Sequence, residues 1–323
     1  MLSANELRGG VFPAVPVPFD VTGRVLESAQ RDYVAWMVEQ PIRGVAVWAH
    51  TGRGLRLDVP DRQRVLTAWR EGLRPGQWLI AAAGAAGGAT EVGEVLAAAR
   101  DMARHAARLG ADALLVHPPV AFRGRSDLQQ RILDYHSAVA EAGIPLILFY
   151  LYEEAGGLSY DFQTLAKLLN RPEVLGIKVA TLDSVMTFQD LARLIQEEAP
   201  GKVLLSGEDR FLGYSLMCGA EAALIGMGAA CVHPQVELVR AFLDGLAARF
   251  LALSRAVDEL ARLTFRVPME GYIQRMLWCL VHEGVIPPAA TFDPWGPPLE
   301  PGEFDRLGEG LKRYWSFVAE AGR

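Results

Sequence analysis

Short runs of β-branched and aliphatic residues alternate along the chain with longer stretches whose apolar positions recur at helical spacing. The runs predict strands at residues 11–17, 44–48, 78–83, 113–117, 145–150, 174–178, 202–206 and 222–226. Helical patterns fall between them at 61–71, 90–109, 128–142, 162–169, 185–198 and 211–218. Strands that read as near-continuous apolar runs belong to a sheet covered on both faces, and eight strand-then-helix units close such a sheet. The predicted fold class is therefore α/β, a (β/α)8 TIM barrel. A doubly wound open sheet is the competing arrangement.

Beyond the eighth run the strands stop. Residues 235–261 and 271–283 carry helical periodicity, 287–301 is a proline-rich connection, and 303–321 reads as a last helix. The expected organisation is a barrel over residues 1–230 with a C-terminal helical extension, 231–323, packed on it. Neither an internal repeat beyond the barrel unit nor a low-complexity linker is visible.

Composition narrows the partners. The chain has 323 residues, 51% of them apolar, enough for a large core. Its net charge is −6 with no basic run, which argues against nucleic acid and leaves a small molecule or another subunit. No window approaches about 18 uncharged apolar residues, so no membrane span is expected. The N-terminal run from Met1 to Arg8 lacks the apolar core of a signal peptide, and the expected location is the cytoplasm. Cys218, Cys231 and Cys279 are odd in number and lack CxxC spacing, and they read as reduced core residues.

In a barrel the chemistry sits where strands end, so those residues are the ones to read. The ends predicted here are Ala49-His50-Thr51-Gly52-Arg53-Gly54, His117-Pro118-Pro119, Phe149-Tyr150, Lys178, Ser206-Gly207-Glu208-Asp209 and Gly226-Met227-Gly228. Among them Lys178 stands out, because the apolar run Val174-Leu175-Gly176-Ile177 closes on its ammonium. Desolvating a charge there is costly, and imine formation with a ketone is the chemistry that fits. With an ordinary pKa near 10.4, only about one such lysine in 2,500 is a free amine at pH 7, so the nucleophile needs burial or a cation to lower it. The alternative is a strand-end lysine that reaches solvent.

Tyr150 is the partner to expect, since the fifth and sixth strands should be neighbours and a phenol there could relay protons. A core tyrosine bonded to backbone is the bland reading, and Tyr152 is a nearby competitor. The loop His50-Thr51-Gly52-Arg53-Gly54 combines backbone N–H groups, a hydroxyl and two side chains able to carry positive charge, which suits a carboxylate. A turn stabilised by Thr51 would use the same residues.

These motifs, in this order, resemble the dihydrodipicolinate synthase and N-acetylneuraminate lyase superfamily of class I aldolases and dehydratases. The resemblance runs from about Gly10 to Leu311. Pro16-Val17-Pro18-Phe19-Asp20 resembles its opening T-P-F segment, and Ala49-His50-Thr51-Gly52-Arg53 stands where the family has G-T-T-G-E. Leu57 and Asp61-Arg62 follow where it has L-S-x-x-E-R. Gly110-Ala111-Asp112-Ala113 with Pro118-Pro119 is similar to its G-A-D-A and P-Y-Y region. Gly176-Ile177-Lys178 is similar to its Schiff-base G-I-K, Ser206-Gly207-Glu208-Asp209 to its S-G-D-D, and the run from Gly219 to Leu224 to its G-A-D-G-A-I.

The resemblance implies an imine between Lys178 and the ketone of pyruvate or a longer 2-oxo acid, with Tyr150 as catalytic tyrosine. Phe149 takes that position if the alignment shifts by one residue. It further implies that Thr51, Gly52 and the N–H groups around them hold the carboxylate, that Leu224 contributes a backbone carbonyl, and that the chain forms a homotetramer of dimers. Neither cofactor nor metal is called for.

The departures redirect the function. His50 and Arg53 replace a threonine and a glutamate, the stretch after Pro118-Pro119 has no phenol, and Glu153-Glu154 stand where dihydrodipicolinate synthases carry an arginine for the aldehyde's carboxylate. Dihydrodipicolinate synthesis is thus disfavoured, and cleavage or dehydration of a sugar-derived 2-keto-3-deoxy acid is expected, with His50 as an extra acid, base or hydrogen-bond donor. Two other classes stay open. One is a metal-dependent barrel enzyme using His50, His117, Glu208 and Asp209, although HxH and HExxH are absent. The other is a 2-oxo-acid-binding barrel that has lost catalysis.

Overall fold

Every predicted apolar run becomes a strand: Val11–Pro13 (β1), Gly44–Val47 (β2), Trp78–Ala83 (β3), Ala113–Val116 (β4), Leu146–Leu151 (β5), Val174–Ala180 (β6), Val203–Ser206 (β7) and Ala222–Ile225 (β8). The computed structural model describes residues 2–85, 88–182 and 184–321. Met1 of the N-terminal run and Gly322 and Arg323 of the extension lie outside these. All pairings are parallel, in the order β1-β8-β7-β6-β5-β4-β3-β2. Between β1 and β2 the contact is a single bridge, Ala14 to Ala46, with Val15 N–H donating to the Ala46 carbonyl at 3.0 Å. The barrel is thus nearly closed, and the open-sheet alternative falls away.

A helix follows each strand, the first being Glu27–Met37, which the periodicity did not single out. Side chains set the starts of several. Asp58 accepts from the Asp61 N–H at 2.7 Å with Pro60 in the first turn of Val59–Gly72, and Asp161 caps Phe162–Leu169 through the Thr164 N–H at 2.6 Å. Strands β2, β4, β5, β7 and β8 are buried along their whole lengths, as a sheet wrapped by helices requires.

The helix expected over 235–261 is two helices, Val232–Leu243 and Ala247–Thr264. Gly245 explains the break. At φ +69° it adopts a left-handed conformation, Leu246 N–H bonds the Ala241 carbonyl at 2.9 Å, and Gly245 N–H bonds that of Phe242 at 3.1 Å. This glycine-terminated end satisfies the last carbonyls and turns the chain back. Ala247–Thr264 packs against its predecessor and against the last helix, Glu303–Ala321.

Two segments of the extension return to the mouth of the barrel. One is 265–272, leading into the helix Tyr272–His282. Arg275, fully buried, fixes it: its guanidinium donates to the carbonyls of Thr264, Arg266 and Pro268 at 3.2, 2.7 and 3.0 Å and to Glu303 at 2.6 Å. The other is the proline-rich connection, where Phe292 bridges Phe19 and Trp295 meets the Phe19 ring edge-on with centroids 5.7 Å apart. Among the described residues no helix is long and apolar enough to cross a membrane.

Candidate active site

Lys178 lies within β6 rather than at its end: the strand runs on through Val179 and Ala180, which pair with Tyr150 and Leu151. Its side chain points into the barrel, and Nζ sits over the Phe149 ring at 4.2 Å from the centroid. A ring face attracts a cation while excluding water. Burial drives the ammonium down to about 8 against the pull of Asp209 and then Glu208. That brings the free amine at pH 7 from about one in 2,500 to about one in ten.

Lys178 has little room to move. A Cβ on Gly207 would lie 2.7 Å from Lys178 Cε and 2.9 Å from the Val179 carbonyl oxygen. Gly207→Ala is therefore expected to displace the amine by several tenths of an ångström and to slow any reaction of it with a carbonyl compound by about 10²-fold, the cost of misplacing a reacting group. Timed borohydride trapping checks this; an undiminished rate would mean that the lysine reaches its position without this glycine.

The residues expected beside the lysine are sorted by the strand pleat. Side chains alternate across a strand, and Phe149 is the register partner of Lys178 while Tyr150 is that of Val179. Phe149 and Leu151 therefore face the lysine, and Tyr150 faces outward, its ring 6.3 Å from that of Tyr160, which in turn packs on His136. The structure does not bring Tyr150 to the amine. Phe149 faces it instead, so that an apolar ring lies beside the amine where a phenol was expected. Leu224 sits within β8 opposite Phe12 and does not line the Lys178 chamber; Gly226, two residues on, does.

The loop after β2 does reach the site. Trp48, at φ +59°, swings the chain out of the strand, and Gly54 lets the turn close, since a Cβ there would lie 2.0 Å from the Trp48 carbonyl oxygen. Thr51 is buried, and its Oγ1 is 2.9 Å from the Tyr272 hydroxyl. The backbone N–H groups of Thr51 and Gly52 make no bond among the described residues, and Thr51 lines the Lys178 chamber. Arg53 pairs with acids of the extension, Nη2 with Asp293 at 2.7 Å and Nη1 with Glu270 at 2.8 Å, and His50 Nε2 meets the other Glu270 oxygen at 2.8 Å. Burial alone would raise the Glu270 acid, but His50 and Arg53 outweigh it and hold the acid at about 2.

On the far side, Asp209 faces the chamber and accepts from the Met227 N–H at 2.6 Å, and burial pushes its acid upward. Glu208 faces away, accepting from Thr181 N–H and Oγ1 at 2.6 and 2.9 Å and from Leu182 N–H at 2.9 Å. His117 is buried, its Nε2 3.1 Å from the Trp48 carbonyl oxygen, and burial lowers it to about 4. The four residues of the metal alternative are thus directed to separate partners, and no group of three or more His, Cys, Asp or Glu able to hold a metal occurs among the described residues.

The chamber around Lys178 is small, about 30 Å³, and is walled by Thr51, Phe149, Tyr152, Asp209, Gly226 and Tyr272 among others. His50, Leu151, Ala155 and Glu270 line both it and a wider cleft of about 620 Å³. The cleft continues past Arg56, His117, Pro118, Pro119, Glu154 and Trp295. Sequence reasoning missed Glu270, Tyr272 and Asp293, all from the extension. Nothing in their spacing announces a site.

Residues 7–299 match the model of the dihydrodipicolinate synthetase family. A curated relative, the 4-hydroxy-tetrahydrodipicolinate synthase of Acidiphilium cryptum (strain JF-5), is 28% identical over 173 residues, covering 53% of this chain and 55% of the relative. The aligned part thus spans about half the length of that protein. Among solved structures, the sialic acid aldolase of Ruminococcus gnavus superposes with a TM-score of 0.81 at 20% identity, covering 98% of this chain and 99% of that one. A prophage protein of the dihydrodipicolinic acid synthase family from E. coli K12, solved with pyruvate, gives 0.81 at 18% identity over 95% and 98% of the two chains.

Proposed function

The chain belongs to the dihydrodipicolinate synthetase family, and we propose that it is a Schiff-base lyase that cleaves or dehydrates a 2-keto-3-deoxy sugar acid through an imine on Lys178. The observation that carries this reading is the buried amine itself, held over Phe149 in a small chamber that adjoins the wider cleft and lowered to about 8. An iminium at C2 draws the electrons of the C3–C4 bond when an aldol is cleaved, or those of the C3–H bond when a hydroxyl leaves. The free N–H groups of Thr51 and Gly52 would hold the carboxylate of the 2-oxo acid. The wider cleft would take the rest of the chain, with His50, Arg56, Glu154 and Glu270 as partners for its hydroxyls.

Synthesis of dihydrodipicolinate fits less well. Glu154 lines the cleft in the segment where that reaction needs a cation, and Arg53 is already held by two carboxylates.

Incubation with pyruvate and borohydride, followed by intact mass, tests the reading. One reduced adduct per chain is expected, with a rate that climbs about tenfold per pH unit below pH 8 and levels above it, because only the free amine attacks. Turnover of 2-keto-3-deoxy acids should accompany it. An adduct without turnover of any such acid would indicate a binding protein, and no adduct with any 2-oxo acid would sink the imine.

A further inference from the structure

Taking the imine on Lys178 as given, we infer that Tyr272, delivered to the barrel mouth by the C-terminal extension, is the phenol that moves protons at that imine, in the place that the strand pleat denies to Tyr150. Four observations converge on this residue. Its hydroxyl is 2.9 Å from Thr51 Oγ1, on the loop that offers the free N–H groups. Its ring is stacked on Phe265 with centroids 4.4 Å apart and lies parallel to the His50 ring at 6.4 Å, so its direction is fixed. It shares the chamber wall with Lys178 and Asp209. Gly226 closes that wall, and a Cβ there would come within 3.0 Å of both Thr51 Oγ1 and the Tyr272 ring.

Burial, reinforced by Glu270, keeps the phenol protonated, the form that donates. In the cleavage direction the phenol acts twice. Lys178 Nζ adds to C2, nitrogen gives up a proton, and the C2 oxygen gains one, leaving a carbinolamine. Tyr272 then gives its proton to that hydroxyl as the C–O bond breaks, water departs, and the nitrogen lone pair forms C=N. The resulting phenolate takes the proton of the C4 hydroxyl. The C4–O electrons become the aldehyde carbonyl, the C3–C4 pair moves into the enamine, and the phenol is restored. Tyr272 is thus acid first and base second within one turnover.

Timed borohydride trapping with pyruvate, run on wild type and on Tyr272→Phe, Tyr150→Phe and Tyr152→Phe, tests the assignment. Loss of a general acid is worth about 10²-fold or more, so Tyr272→Phe should label that much more slowly while still reaching a full adduct. Tyr150→Phe should label at the wild-type rate. Wild-type labelling in Tyr272→Phe, or slowing confined to Tyr152→Phe, overturns the assignment and leaves the imine standing. Absence of an adduct in wild type would instead remove the imine and this role together. A packing role is separated by 3,5-difluorotyrosine placed at position 272, which nearly keeps the shape while lowering the phenol pKa and so raising its acidity. A donor there shifts the pH profile of labelling, and a structural ring leaves it unmoved.

Discussion

Lys178→Ala is expected to abolish the reduced pyruvate adduct and to lower turnover by on the order of 10⁴-fold or more, the scale set by losing a covalent nucleophile. Other amines offer no substitute. The chain contains four lysines, and the remaining three are Lys167, Lys202 and Lys312. Lys202 Nζ donates to the Arg171 and Val174 carbonyls at the other end of β6, and Lys312 pairs with Glu309 on an exposed helix face. Peptide mapping of the wild-type adduct should therefore return a single site. The substitution also removes the cation beside the buried Asp209, so a thermal midpoint measured alongside separates loss of the nucleophile from loss of fold. An adduct that persists in Lys178→Ala would move the nucleophile elsewhere.

Arg53→Ala should produce the largest loss of stability in the mouth of the barrel. The Arg53 and Asp293 side chains are 8% and 1% exposed, so the truncation leaves a carboxylate buried without its cation, a situation that costs roughly 3–5 kcal/mol. A fall in thermal midpoint of several degrees is the expected readout. A change near zero would mean that water replaces the guanidinium freely. The pH dependence has a definite sign. Glu270 is held at about 2 in the folded chain, below its ordinary value near 4.3, so its contribution is complete above that value and disappears as the pH falls towards 2. The Glu270 side chain is 37% exposed, so solvent screens this part and the buried Asp293 pair dominates.

What could be read from sequence follows from the range of the interactions concerned. The eight strands were legible because each must be apolar on both faces, a property written in consecutive residues. Lys178 was legible for the same reason, as a charge interrupting such a run. The phenol was not, because register decides it: a shift of one residue exchanges the two faces of a strand, and no local feature distinguishes Phe149 from Tyr150. The partners of Arg53 were beyond reach as well. Its charge reversal in the loop is answered by Glu270 and Asp293, 217 and 240 residues away, on segments whose own patterns describe only a helix start and a proline-rich connection.

The separation between Thr51 and Tyr272, 221 residues, bears on how the protein is made. Synthesis proceeds from the N-terminus, so the lysine strand and all eight parts of the barrel emerge well before residues 270 to 293. Until those residues emerge, Thr51 lacks the Tyr272 hydroxyl, His50 lacks Glu270, and Arg53 lacks both of its carboxylates. The mouth of the site is therefore the last part to be assembled, and it forms only once the C-terminal segments have docked on a barrel that is already complete.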